Sequence, residues 1–147
     1  MTELKRHTVF PGQFIITSVP TLISTLLGSC VSVCLWNRVT KVGAMNHYLL
    51  PGTDDDNAND ANRGLSSTRM LIRSLLNRKF RLEDLEAKVF GGCNSLYIDH
   101  DSFRVGERNI AMAYDVLKSF NIAVTAQHVG GSHGRKIVFN TATGKVR

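Results

Sequence analysis

The chain is short of the features that mark membrane, metal and nucleic-acid proteins. Its longest mostly apolar stretch, about Val19 to Leu27, is broken by polar residues and is too short to cross a bilayer. Membrane insertion is therefore not expected. There are only three cysteines, an odd number with no repeated spacing, so a disulfide framework is excluded as a reading. Cys30 and Cys34 do not have the C-x-x-C spacing of redox or zinc sites, and no second ligand pair completes a metal set. No zinc-finger or RNA-binding signature, internal repeat or block of like charges is present, and nucleic acid ranks last among possible partners. The segment Met1 to Val9 is polar and charged rather than a secretory apolar run, so free thiols in a reducing cytoplasm are expected.

What is present is an ordinary globular balance. The 147 residues are 43% hydrophobic and 20% charged, which suggests a single domain spanning 1–147. Eighteen basic and twelve acidic residues give a net charge of +6. A basic solvated surface explains that balance, and an acidic protein partner is the next reading.

The patterning is mixed. Phe14 to Ser18, Leu22 to Leu27, Val31 to Trp36 and Gly43 to Leu50 read as strands, the third rich in β-branched and aromatic residues. Thr53 to Asp60 is a polar acidic loop. It resembles half of a calcium loop but lacks the required glycine, so a solvated loop is expected. Leu65 to Lys79 reads as a helix, with Leu71/Leu75 and Ile72/Leu76 at i,i+4 spacing. Ala87 to Phe90 is a strand. Glu107 to Phe120 is a second helix, with Ile110, Ala113, Leu117 and Phe120 on one face. Ile122 to Val129 and Lys136 to Asn140 are further strands. This order predicts an α+β layered sandwich of mixed β-sheets with two helices packed on the outside.

The chemistry concentrates at Cys30 and His47. A turn closed by Asn37 and Thr40 pairs Trp36 with Lys41, Cys34 with Gly43 and Cys30 with His47, placing a thiol opposite an imidazole. A neighbouring histidine can remove the thiol proton and so supply a thiolate nucleophile. Gly28 and Ser29 precede Cys30, and backbone N–H groups in this region could hold an oxyanion. Ser24 and Thr25 each offer a hydroxyl that could fix the tautomer of His47. The competing reading is structural: a small buried cysteine and a satisfied core histidine. Cys34 reads as buried. Cys93, after Gly91-Gly92, could line a cleft, and a zinc site from Cys30, His47 and Cys93 is conceivable. The loop Gly130 to Lys136 fails the phosphate-cradle pattern and reads as a glycine turn that could frame a cleft, with Arg135 a possible contact. His7, His100, His128 and His133 have no partner pattern and are read as surface or loop residues.

Several blocks together resemble one family. They are Leu27 to Trp36, Lys41 to Pro51, Glu86 to Gly92, Val105 to Asn109, Gly130 to Arg135 and Phe139 to Val146, so the likeness covers about positions 10 to 146. In these blocks the chain resembles the chemoreceptor glutamine deamidases, CheD. The resemblance implies a protein-glutamine glutaminase, an amidohydrolase that converts selected receptor glutamines to glutamate with release of ammonia, and a role in chemotaxis adaptation. It implies Cys30 as nucleophile, His47 as general base and acid, and Thr25 or Ser24 as the residue that orients His47. Gly28 and Ser29 fall in the substrate and oxyanion region. It further implies a fold similar to deamidating cysteine-hydrolase toxins, no cofactor and no metal. The implied partners are methyl-accepting chemotaxis receptors and a CheC-type phosphatase. The same acyl chemistry would allow hydrolysis of receptor methyl esters. Two other readings remain: a cysteine peptidase, and a non-catalytic adaptor that binds receptors or a phosphatase.

Overall fold

The computed structural model describes residues 3–77, 80–94 and 104–147. The expected helix end at Arg78 and Lys79, and His100, lie outside the described residues. The elements in chain order are β1 (Lys5–Thr8), β2 (Phe14–Thr17), β3 (Thr21–Leu27), β4 (Val31–Asn37), β5 (Gly43–Asn46), α1 (Gly64–Leu76), a 3-10 turn (Leu82–Asp84), β6 (Leu85–Gly91), α2 (Arg104–Ser119), β7 (Ala123–Val129) and β8 (Arg135–Asn140).

They form three layers. A five-stranded sheet runs in the order β2-β5-β4-β6-β7, and a three-stranded sheet in the order β1-β3-β8. Both are mixed: β1–β3 and β6–β7 are parallel, and the remaining pairs are antiparallel. α2 is the crossover that a parallel β6–β7 pair requires. One face of the larger sheet packs against α1 and α2 through Val31, Val33, Leu35, Ala44, Leu71, Leu75 and Leu117. Its other face packs on the small sheet through Cys34, Met45, Phe90, Ile23, Ile137 and Phe139. β4 is therefore covered on both sides, and this explains its nearly unbroken burial. β3 is covered on one side only. Thr21, Ile23, Thr25 and Leu27 are buried, while Leu22, Ser24 and Leu26 face outward.

The hairpin register differs from the sequence expectation. Cys34 pairs with Met45, Leu35 with Ala44 and Trp36 with Gly43. An isolated bridge pairs Val31 with Tyr48 in the same register. Asn37 closes the loop against Val42 rather than Thr40, with Asn37 accepting from Lys41 N–H at 2.8 Å and donating to Val42 O at 2.9 Å. The Asn37 side chain accepts from the N–H groups of Val39 and Thr40, both at 2.9 Å. Lys41 takes a left-handed φ of 65°. The asparagine thus stabilises a wider loop than a two-residue turn. The pairing moves by an even step, so every side chain keeps its face. Cys30 and His47 become diagonal rather than direct neighbours, and Ser32 stands opposite His47.

β1 was not among the expected elements. All four of its residues are exposed, so it carries no alternation for a sequence pattern to register. The acidic loop is solvated as expected, with Asp54 paired to Arg69 at 3.3 Å.

Candidate active site

His47 follows β5 in the space between the two sheets and is 2% exposed. Its ring meets the buried side of β3, where Thr25 Oγ1 lies 2.7 Å from His47 Nδ1. The same hydroxyl donates to Val9 O at 2.6 Å. A carbonyl can only accept, and a threonine has one hydroxyl proton. Thr25 therefore gives that proton to Val9 and accepts from Nδ1–H. This leaves Nε2 of the neutral ring with its lone pair free. His47 Nε2 is buried and has no hydrogen-bond partner among the described residues.

Ser24, one residue earlier on β3, points to the outer face, where its hydroxyl lies 3.4 Å from Thr8 Oγ1. The twofold alternation of a strand separates the two hydroxyls, and only Thr25 contacts the imidazole. The backbone of His47 is also held: it donates to Gln13 O at 3.2 Å and accepts from Gly12 N–H at 2.8 Å. Next to it, Asn46 occupies the helix-facing side. Its Oδ1 accepts from Val33 N–H at 2.7 Å, and its Nδ2 donates to Ser67 and Thr68 of α1 at 3.1 and 3.2 Å.

Cys30 sits in the turn between β3 and β4 and is half-buried. Three carbonyls of this turn are anchored. Gly28 O accepts from Cys93 N–H at 3.0 Å, and Cys30 O from Gly92 N–H at 2.9 Å. Ser29 O accepts from Asn109 Nδ2 at 3.0 Å. Asn109 Nδ2 also donates to Leu49 O at 2.9 Å, and Tyr48 Oη donates to Asn109 O at 2.5 Å. Asn109, fully buried on α2, thus ties the residue before the cysteine to the segment after β5 that carries the histidine. Sequence reasoning gave no role to Asn109 or Asn46. The available signal was an amide at a core-facing position of an otherwise apolar helix face or strand. The close approach also requires glycine: at Gly91 a Cβ would collide with Cys30 O, and at Gly106 with the carbonyls of Gly92 and Cys93.

Burial raises the pKa of the Cys30 thiol. Its own backbone N–H lowers it, and Cys93 raises it further. Burial lowers the His47 pKa, and the Val9 carbonyl opposes that effect. Both groups are accordingly neutral at rest, an acid–base pair rather than an ion pair. No hydrogen bond joins Cys30 to His47 among the described residues, so the thiol–imidazole contact expected from the sequence register is not made. Cys34 is buried, and desolvation pushes its thiol up to about 12. Cys93 is also buried, so it does not line an open cleft. The Arg135 guanidinium turns back on its own loop and donates to the carbonyls of His128 and Gly130. Asn94 N–H bonds Gly131 O at 2.8 Å, which keeps this glycine loop near the Cys30 turn.

The groups this region offers for chemistry are a half-buried thiol in a turn with anchored carbonyls and, diagonal to it across the strand pair, a neutral imidazole of fixed tautomer. Comparison with known proteins is more specific. Residues 49–147 match the family model described as CheD chemotactic sensory transduction. A probable chemoreceptor glutamine deamidase CheD of Thiobacillus denitrificans is 42% identical over 142 residues, covering 94% of this chain and 70% of that protein. The corresponding protein of Trichlorobacter lovleyi is 39% identical, covering 99% and 90%. That of Agrobacterium fabrum is 42% identical, covering 97% and 78%. The chain belongs to the CheD family. The model match begins just past His47, whereas the relatives align over nearly the whole chain. Among solved structures, Bacillus licheniformis hypothetical protein YfiH aligns with a TM-score of 0.48 and 14% identity, covering 82% of this chain and 50% of that one. No helix among the described residues is long and apolar enough to cross a membrane.

Proposed function

We propose that this chain is a chemoreceptor glutamine deamidase that works through a Cys30 thioester. The observation that carries the reading is the Thr25–His47 hydrogen bond, which leaves a buried, unpartnered Nε2 on the residue diagonal to Cys30. His47 Nε2 takes the Cys30 proton as the sulfur attacks the carboxamide carbon of a receptor glutamine. The N–H of Cys30 and the neighbouring Gly28–Ser29 backbone stabilise the oxyanion. His47 then protonates the departing nitrogen, ammonia leaves, and a thioester remains. Water, deprotonated by Nε2, attacks the thioester and releases glutamate and the thiol. Neutral resting states suit this sequence, because the proton moves only when substrate arrives. No hydrogen bond joins the thiol and imidazole among the described residues in the absence of substrate, and in this reading it forms in the complex. No cofactor or metal takes part.

A half-buried thiol in a surface turn suits a slender amide side chain projecting from a macromolecule. In this reading the protein is a single domain over 1–147, acts in the cytoplasm and contributes to chemotaxis adaptation. It can hydrolyse glutamate methyl esters through the same acyl intermediate and pairs with a CheC-type phosphatase. The likeness of the sandwich to deamidating toxins belongs to the same reading. The second reading, a receptor-binding adaptor without catalysis, draws on the raised thiol pKa and the unmade Cys30–His47 contact.

Mass mapping of receptor peptides decides between them. Deamidation raises the mass of each target glutamine by about one dalton and leaves the chain whole. The wild type is expected to produce this shift with ammonia release, and Cys30→Ala to produce neither. An active Cys30→Ala variant refutes the mechanism, and binding without turnover by the wild type favours the adaptor.

A further inference from the structure

The outer face of the three-stranded sheet stands open. Its outward residues include Leu22 and Leu26 of β3 and Lys136 and Val138 of β8, with Leu26 72% exposed. Leu26 pairs with Lys136 and Ser24 with Val138, so the apolar side chains form a ridge across neighbouring strands. Lys145 and Arg147 border the same face and line one cavity with Leu22 and Val138, of about 500 Å³. A second cavity of about 500 Å³ runs from Leu26 and Lys136 to Gly28, two residues from Cys30. The ridge therefore leads into the turn that carries the thiol.

The formal charges on the strands of this sheet have one sign. Strands β1, β3 and β8 contain Lys5, Arg6, Arg135 and Lys136 and no carboxylate. From Leu4 to Thr53, and again from Val116 to Arg147, the chain holds no acidic residue. Of the described acids, Glu3 precedes β1 and Glu86 lies on β6; the others are Asp54, Asp55, Asp56 and Asp60 in the loop before α1, Glu83 and Asp84 in the 3-10 turn, and Glu107 and Asp115 on α2. The three strands of the small sheet thus carry basic residues and no acidic one. Three strands about 4.8 Å apart make a strip roughly 10 Å wide, the diameter of one helix. A sheet face with an apolar ridge is ordinarily covered by a helix.

We propose that this face docks an acidic amphipathic helix of the substrate protein and delivers an adjoining glutamine to Cys30. The inference rests on the deamidase reading. It adds a binding surface apart from the thiol, with the apolar stripe of the helix on Leu22, Leu26 and Val138 and its carboxylates toward Lys136, Lys145 and Arg147. The steering charge acts mainly on encounter.

The test uses the soluble cytoplasmic fragment of a methyl-accepting chemotaxis receptor. Its binding by calorimetry is compared for Cys30→Ala and for Cys30→Ala carrying Leu26→Glu and Lys136→Glu. The added pair is expected to weaken binding at least tenfold and to lessen its dependence on salt. In the Cys30-containing protein, the same pair should leave the iodoacetamide reactivity of Cys30 unchanged. If the charge-reversed pair does not fold, Leu26→Ser with Lys136→Gln is read in its place, with at least a threefold loss expected. An unchanged Kd, or a parent that does not bind the fragment, overturns the proposal. So does a parent dimer that the substitutions dissociate while receptor binding persists, because the face would then be a contact between two copies of this chain. Ammonia release by the Cys30 protein is measured in parallel. Release with unchanged binding sinks the docking face alone, whereas weakened binding without release sinks the deamidase reading and leaves the docking face standing.

Discussion

Replacing Thr25 by valine removes one hydroxyl and nearly preserves side-chain volume. Two hydrogen bonds disappear, at 2.6 Å to Val9 O and 2.7 Å to His47 Nδ1. Both partners stay buried and unsatisfied, at about 1–3 kcal/mol each, so the expected loss of stability is about 2–6 kcal/mol. The catalytic effect is separable. Without the threonine, the neutral ring is free to carry its proton on Nε2, which turns the required acceptor into a donor. A net bond of about 1 kcal/mol biases that choice several-fold, and loss of ring orientation adds to it. The fall in kcat is accordingly expected to be about tenfold to hundredfold. Ammonia release from a receptor fragment, measured well below the melting temperature of each variant, is the assay. Thr25→Ser keeps the hydroxyl and should stay within a few-fold of wild type. Ser24→Ala, on the outer face, should behave as wild type. A folded Thr25→Val enzyme with kcat within twofold of the parent would refute the tautomer argument.

Iodoacetamide applied to the native protein should label Cys30 ahead of the buried Cys34 and Cys93, at a rate still climbing above the ordinary thiol pKa. Peptide mapping across a pH series reads this, and a plateau near neutrality would instead mean an ion pair with His47. The depressed His47 pKa means that the folded state binds fewer protons than the unfolded chain. Its stabilising contribution is therefore complete above the unfolded value of about 6.5 and is lost as pH falls through and below it. Urea midpoints at pH 7.5 and 5.5 should show this loss, and His47→Gln should flatten it. Asn109→Ala removes the donor to Ser29 O and Leu49 O and is expected to cost about 2–4 kcal/mol by denaturant titration. An effect under about 0.5 kcal/mol would show that the bridge is dispensable.

The architecture was legible where burial is one-sided or complete. The apolar run of β4 and the i,i+4 leucines of α1 announced themselves, because packing imposed those patterns. β1 escaped because all its side chains are wet. The hairpin was recognised but its register was not, since the side chain of Asn37, acting at a distance of two or three residues, sets the loop length. The alternation in β3 already separates Thr25 from Ser24. Using it requires knowing which face is covered, and that depends on the packing of one sheet against another. Asn109 and Asn46 were illegible for a related reason. Their partners lie on remote segments, and an amide in an apolar pattern does not say what it bonds.

Thr25 belongs to the small sheet, whereas His47 leads out of the large one. The hydrogen bond between them is therefore a stitch across the gap between the layers, and Val9 ties a third segment into it. On the proposed mechanism, chemistry at Cys30 consequently depends on the two sheets being closed against each other. A molecule whose small sheet had lifted away could keep its helices and the strands beneath them, and hence most of its spectroscopic signature, yet have no oriented base. Turnover is thus a more sensitive gauge of sandwich closure than helical content.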